Sequence, residues 1–152
     1  MSTASGAGWE AAILPTGNKP PRPIRPSAID RHQLARVRAR TRIKQKNSLV
    51  LPGIDIAQDI DLINQGFGQH VGDSRDQING RVYVVKPDGA AYPGSGEGVV
   101  SVGPFVMSLL RDMIAHVDDP EALEFLIQRN RRYTDDVVEE ASLLFAIWKR
   151  VP

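Results

Sequence analysis

The chain contains no cysteine. Disulfides, thiolate zinc sites, iron–sulfur clusters and cysteine nucleophiles are therefore excluded, and a reducing compartment is consistent with that absence. Long apolar runs are also missing. The longest, Leu143–Trp148, falls far short of the roughly 20 residues that span a bilayer. Near the N-terminus, Ala11–Leu14 is too short for the core of a signal peptide. A soluble, cytoplasmic protein that makes no use of membranes is expected. No aromatic residue occurs between Glu10 and Gly66, so base stacking is closed to that stretch. The three histidines, His32, His70 and His116, show no metal-ligand spacing. A P-loop is absent, and the dinucleotide fingerprint fails at Gly94-Ser95-Gly96-Glu97-Gly98, where Val99 stands in place of its last glycine. No cofactor or metal is indicated.

What is abundant is positive charge at one end. Residues 1–50 carry ten Lys and Arg against two Asp and Glu, a surplus of eight; residues 51–152 carry nine against sixteen, a deficit of seven. A net charge of +1 hides this segregation. The densest part is Arg36, Arg38, Arg40, Arg42, Lys44 and Lys46, a cation at every second position. Such a block attracts phosphate or an acidic protein surface.

The organisation expected is α+β: a small antiparallel β-meander flanked by helices, with a basic, largely disordered N-terminal arm. Residues 1–26 hold five of the eleven prolines and read as that arm, extended and partly polyproline II. Ser27 with Asp30 suggests a helix start, and residues 27–47 read as a basic helix. In a strand all six cations would instead share one face. Residues 48–152 read as a single domain. Within it, Asp55 with Gln58 opens a helix with an Ile56, Ile60, Ile63 and Phe67 stripe. Asn79-Gly80 marks a hairpin before the strand Arg81–Lys86, and Pro87-Asp88-Gly89 turns the chain back through Ala90–Tyr92, with Val99–Val102 as a further strand. Three helices follow. The first begins at Pro104, with Phe105, Leu109, Met113 and Ile114 inward. The second is capped by Asp119, with Leu123, Phe125, Leu126 and Ile127 inward. Thr134 caps the third, whose core face is Val137, Val138, Ala141, Leu144, Phe145 and Trp148.

The leading functional expectation is a non-enzymatic protein whose arm contacts nucleic-acid phosphates through Arg36, Arg38, Arg40, Arg42, Lys44 and Lys46, with Lys19, Arg22 and Arg25 assisting. One alternative is an assembly or adaptor protein whose arm docks on an acidic surface, such as the Asp135–Glu140 face of a second copy, giving a homo-oligomer. Another is a small nuclease or hydrolase centred on His70, near Asp73, Arg75 and Tyr83. Residues 119–149 also form a helix–turn–helix pattern, but Asp135, Asp136, Glu139 and Glu140 would repel DNA. The acid pairs Asp55/Asp59, Asp135/Glu139 and Asp136/Glu140 have one-turn spacing and read as solvated faces.

Overall fold

The structure, a computed structural model, describes residues 18–152; the greater part of the arm expected over residues 1–26 lies outside them. Helices and strands are mixed, with two separate sheets. Where the sequence suggests a single domain from residue 48, the chain divides into two compact units. One takes the N-terminal residues to Ile29 together with Asp55–Gly98, and the other takes Asp30–Ile54 together with Val99–Pro152.

The first unit is built on a five-stranded sheet in the order β1-β6-β5-β4-β3. These strands are Arg25–Pro26 (β1), Gln69–Gly72 (β3), Arg75–Ile78 (β4), Arg81–Val85 (β5) and Ala90–Gly96 (β6). The meander β4-β5-β6 turns first at Asn79-Gly80, both at positive φ (53° and 79°), as a tight two-residue hairpin demands. Val82 faces Ser95 while Tyr83 faces Pro93, so Gly94 is the extra residue of a bulge. Pro93, which has no N–H to donate, is tolerated at that irregularity. Gly96 sits at φ 109°, and a Cβ there would run into the Gly80 carbonyl oxygen. The glycines of 94–98 are thus strand and turn geometry.

The last described residues of the arm are extended, but they are packed. Ile24 is buried, its N–H donates to Asn64 Oδ1 (2.8 Å) and its carbonyl accepts from Asn64 Nδ2 (2.9 Å). β1 runs parallel to β6, and Ser27 continues the ladder by donating its N–H to the Ala91 carbonyl. Ser27 therefore extends a strand edge and caps no helix. Helix α1, Ile56–Asn64, opens as the sequence indicates, with Asp55 accepting from the Gln58 N–H (3.0 Å). Ile56, Ile60 and Ile63 are buried, whereas Phe67, expected on the same stripe, is exposed beyond the helix end.

The second unit pairs β2, Asn47–Val50, antiparallel with β7, Val99–Val102. β7 consequently belongs to a separate two-stranded ladder and does not extend the meander. Helices α2 (Pro104–Ala115), α3 (Pro120–Arg129) and α4 (Asp135–Lys149) follow. Asp119 accepts from the Ala122 N–H and Thr134 from the Val137 N–H, each capping its helix. The core is apolar: Leu34, Val37, Leu49, Val102, Met107, Leu109, Leu110, Ala141 and Leu144 are among its buried members. Two aromatic side chains assigned inward from periodicity, Phe105 and Phe125, are 45% and 56% exposed. Guanidinium groups cover them, with Arg132 5.5 Å from the Phe105 ring and Arg129 4.1 Å from the Phe125 ring. A cation over an aromatic face offsets part of the cost of leaving it at the surface.

The helix expected over residues 27–47 is not formed. Two short 3-10 turns, Ile29–His32 and Leu34–Arg36, lead into an irregular stretch that reaches β2. Two effects act against an α-helix. Cations at alternate positions would place like charges four apart on both faces, which is destabilising. Backbone groups of the stretch also have distant partners: Val37 O accepts from Trp148 Nε1 (3.0 Å) and Ala39 O from Arg111 Nε (2.8 Å). Leu34 and Val37, both fully buried, anchor it, each contributing about 1.5–3 kcal/mol of apolar burial.

Candidate functional site

Both places that the sequence singles out can be located, one in each unit. In the second unit Arg36 ends the second 3-10 turn, and the other five cations lie on the irregular stretch between Val37 and β2. Arg36, Arg38, Arg40, Arg42 and Lys46 are exposed and Lys44 is half-buried. The ion pair that the structure shows for this block is Arg36 with Asp30, at 3.6 Å between two exposed side chains. A pair so open to water contributes little, about 0–1 kcal/mol. Arg38 donates to the Ala35 and Val37 carbonyls and lies 5.9 Å from the centre of the Trp148 ring. This contact joins the block to the C-terminal end of α4, where Lys149 and Arg150 follow. Arg111 joins it through Ala39 O. None of Arg111, Lys149 or Arg150 is signalled by sequence proximity, since Trp148 and Arg111 come from 111 and 72 residues away.

The acidic residues of α4 are placed differently. Asp135 and Asp136 occupy its first turn, where carboxylates favour the positive end of the helix dipole, and Glu139 and Glu140 are exposed. Lys19, Arg22 and Arg25, expected to assist the block, belong to the first unit. Arg25 is engaged there with Asp88 (3.3 Å).

In the first unit His70 lies on β3, directly across from Asp76 on β4. Its Nδ1 is 2.9 Å from Asp76 Oδ1; the imidazole is 61% exposed and the carboxylate only 4%. The partner is therefore Asp76, and not Asp73, Arg75 or Tyr83, which are nearer or more conspicuous in the sequence. Along β4, Asp76 and Ile78 face inward while Arg75 and Gln77 face out. No known protein family, curated protein or solved structure matches this chain. The reading of both places consequently rests on their own chemistry.

Tyr83 belongs to a different cluster. Asp59, buried on α1, accepts from Tyr83 OH (2.6 Å), Arg81 Nε (2.9 Å) and Nη2 (3.2 Å), and Asn79 Nδ2 (2.9 Å). Burial, then the bond to Asp59, pushes the Tyr83 phenol far above its ordinary value. The Asp59 bond likewise holds the Arg81 guanidinium in its charged form. This network ties α1 to β5 and leaves Asp59 no free oxygen for a cation, so the Asp55/Asp59 spacing has a structural explanation. Among the described residues no group of three or more His, Asp or Glu is placed to hold a metal ion, and no helix is long and apolar enough to cross a membrane.

His32 and His116 are also occupied. His32 is buried, with Nδ1 2.9 Å from the Ser48 carbonyl oxygen, and His116 Nδ1 lies 2.8 Å from the Asp112 carbonyl oxygen at the end of α2. Tyr133 donates to Asp112 Oδ2 (2.6 Å) and its hydroxyl lies 2.7 Å from Ser108 Oγ. Burial, with the Asp112 bond second, raises its phenol to about 12.

Proposed function

We propose that the protein binds nucleic acid through its phosphates, using Arg36, Arg38, Arg40, Arg42, Lys44 and Lys46. The supporting observation is that this segment is anchored by Leu34 and Val37 while five of its six cations are exposed, and the ion pair that Arg36 makes with Asp30 is itself open to solvent. Its backbone is held at Val37 and Ala39 by Trp148 and Arg111, so part of the ordering entropy of a free tail is already met before a ligand arrives. Arg111, bonded to the Ala39 carbonyl, adds a cation from α2 to the same segment. With no aromatic side chain in the segment, recognition is by charge and geometry, and selectivity for base sequence is weak.

Fluorescence anisotropy with labelled duplex and single-stranded oligonucleotides over a salt series tests this. Contact with about four phosphates gives a slope of log affinity against log salt of about −3 to −4. Arg40→Ala with Arg42→Ala lowers the steepness by about one to two. Binding that is absent at low salt, or indifferent to salt, refutes the reading. An acidic protein surface is the competing partner. It is favoured if poly-glutamate binds this segment as tightly as DNA of equal charge.

A further inference from the structure

The first unit buries two carboxylates and treats them differently. Asp59 has both oxygens filled, by Tyr83, Arg81 and Asn79. Asp76, whose side chain is 4% exposed, has one oxygen filled: its Oδ1 accepts from His70 Nδ1 at 2.9 Å. Its Oδ2 meets no N–H or O–H donor among the described residues. A buried polar atom without a partner costs free energy, and an ionised carboxylate oxygen can only accept. Whatever completes Asp76 must therefore donate. The strand register shows where that donor enters. His70, Asp76 and Tyr83 stand opposite one another on β3, β4 and β5, so they project from one face of the sheet. Val85, two residues beyond Tyr83, shares that face. His70, Asp76 and Val85 all line a groove of about 280 Å³, bordered by the chain at Pro20–Ile24 and the turn at Pro87–Gly89.

The cations of the lining do not supply the donor. Lys86 Nζ reaches Ser27 Oγ at 3.1 Å and lies 5.7 Å from the centre of the Tyr92 ring, and neither residue lines the groove. Arg22 lines it, exposed and without a bond to Asp76. Asp88 is a second lining carboxylate, paired from outside the groove with Arg25 at 3.3 Å. An ammonium suits the open oxygen best, because a bond between ionised partners is about twice as strong as a neutral one. A guanidinium would lose its two-oxygen grip, since His70 already takes Oδ1. A bare metal ion lacks ligands, because among the described residues no group of three or more His, Asp or Glu is placed to hold one. The rest of the wall is largely hydrocarbon, proline rings with Ile24 and Val85, and suits an apolar body on the amine.

We propose that this groove binds a small primary amine with an apolar body, its ammonium donating to Asp76 Oδ2 and its hydrocarbon lying against the proline rings and Val85. His70 is a positioning residue that holds the carboxylate in place. The site is independent of the polyanion-binding segment. Titration of the full chain with phenethylamine tests it, by calorimetry and by the carboxyl-carbon NMR signal of Asp76. The expected result is saturable binding that shifts the Asp76 signal. The neutral isostere 2-phenylethanol binds roughly tenfold or more weakly, because its bond to Oδ2 lacks the ligand's charge. Methylamine also binds roughly tenfold or more weakly, having no apolar body to bury. Asp76→Asn keeps an oxygen for His70 but puts an amide in place of Oδ2, and weakens phenethylamine by roughly tenfold or more. That variant retains the parent's circular dichroism and its oligonucleotide affinity, which separates this site from the cationic segment. Both ligand comparisons are made on the unaltered chain and decide the matter whatever the stability of the variant. An unmoved Asp76 signal, equal affinity for the amine and the alcohol, or undiminished affinity in folded Asp76→Asn overturns the proposal.

Discussion

The two units place their charge in opposite ways. In the first, two carboxylates are taken inside and bonded there, Asp59 to Arg81, Tyr83 and Asn79, and Asp76 to the exposed imidazole of His70. In the second, the interior is almost wholly hydrocarbon, and the densest positive charge of the chain stands outside, held by apolar anchors and backbone hydrogen bonds. A buried charge must find its partner inside the fold or its desolvation is not offset. An exposed charge has no such obligation and remains available to something else. The contrast separates residues that make the fold from residues that make a surface, although the side-chain types are the same.

The sharpest break comes at Asp59. Asp59→Ala strands Arg81 and the Tyr83 hydroxyl in the interior and lowers stability by about 3–5 kcal/mol, read from urea denaturation. Joint replacement of Asp59, Arg81 and Tyr83 by apolar residues of similar size is expected to recover much of that loss. In the second unit the corresponding weak point is apolar. Leu34→Ala empties a fully buried position and costs about 2–5 kcal/mol; amide exchange at residues 37–42 accelerates while the first unit's meander is unaffected.

Tyr133 gives a smaller effect with a pH signature. Its phenol is raised from 10.0 to about 12 in the folded chain, so folding favours the protonated form. That contribution is complete below pH 10 and is lost as pH rises towards about 12. Tyr133→Phe removes the bonds to Asp112 and Ser108, costing about 1–2 kcal/mol near neutrality, and flattens the fall in stability over that alkaline window. Tyr83, raised in the same direction, leaves a residual slope. At the bottom of the scale, Arg36→Ala breaks only the exposed pair with Asp30 and changes stability by less than about 0.5 kcal/mol. A loss comparable to Leu34→Ala would show that the block's charges support the fold, and would erase the contrast between the units.

Several local features were legible before the fold was known because each is decided by neighbours in sequence. The helix starts at Asp55, Asp119 and Thr134 follow from a side chain reaching an N–H three residues on. The Asn79-Gly80 turn follows from tolerance of positive φ. The exposed aromatics Phe105 and Phe125 were misplaced because periodicity records which residues share a face and says nothing of whether a cation will cover that face. Similarly, three polar residues in Arg75–Ile78 give no apolar alternation that would mark a strand or single out Asp76, and the strand register alone puts it opposite His70.

The mixture of helices and strands, the caps and hairpin, and the segregation of charge follow from residue type and short spacing alone. Contacts between residues far apart in the chain set the rest. β7 pairs with β2 and not with the meander, because a strand takes whichever edge the fold brings to it. The basic stretch is not a helix, because helix propensity is worth only tenths of a kcal/mol per residue. Two buried side chains and hydrogen bonds from Trp148 and Arg111 outweigh it. Cations that alternate along the chain therefore line an anchored, irregular surface, through contacts that no local spacing encodes.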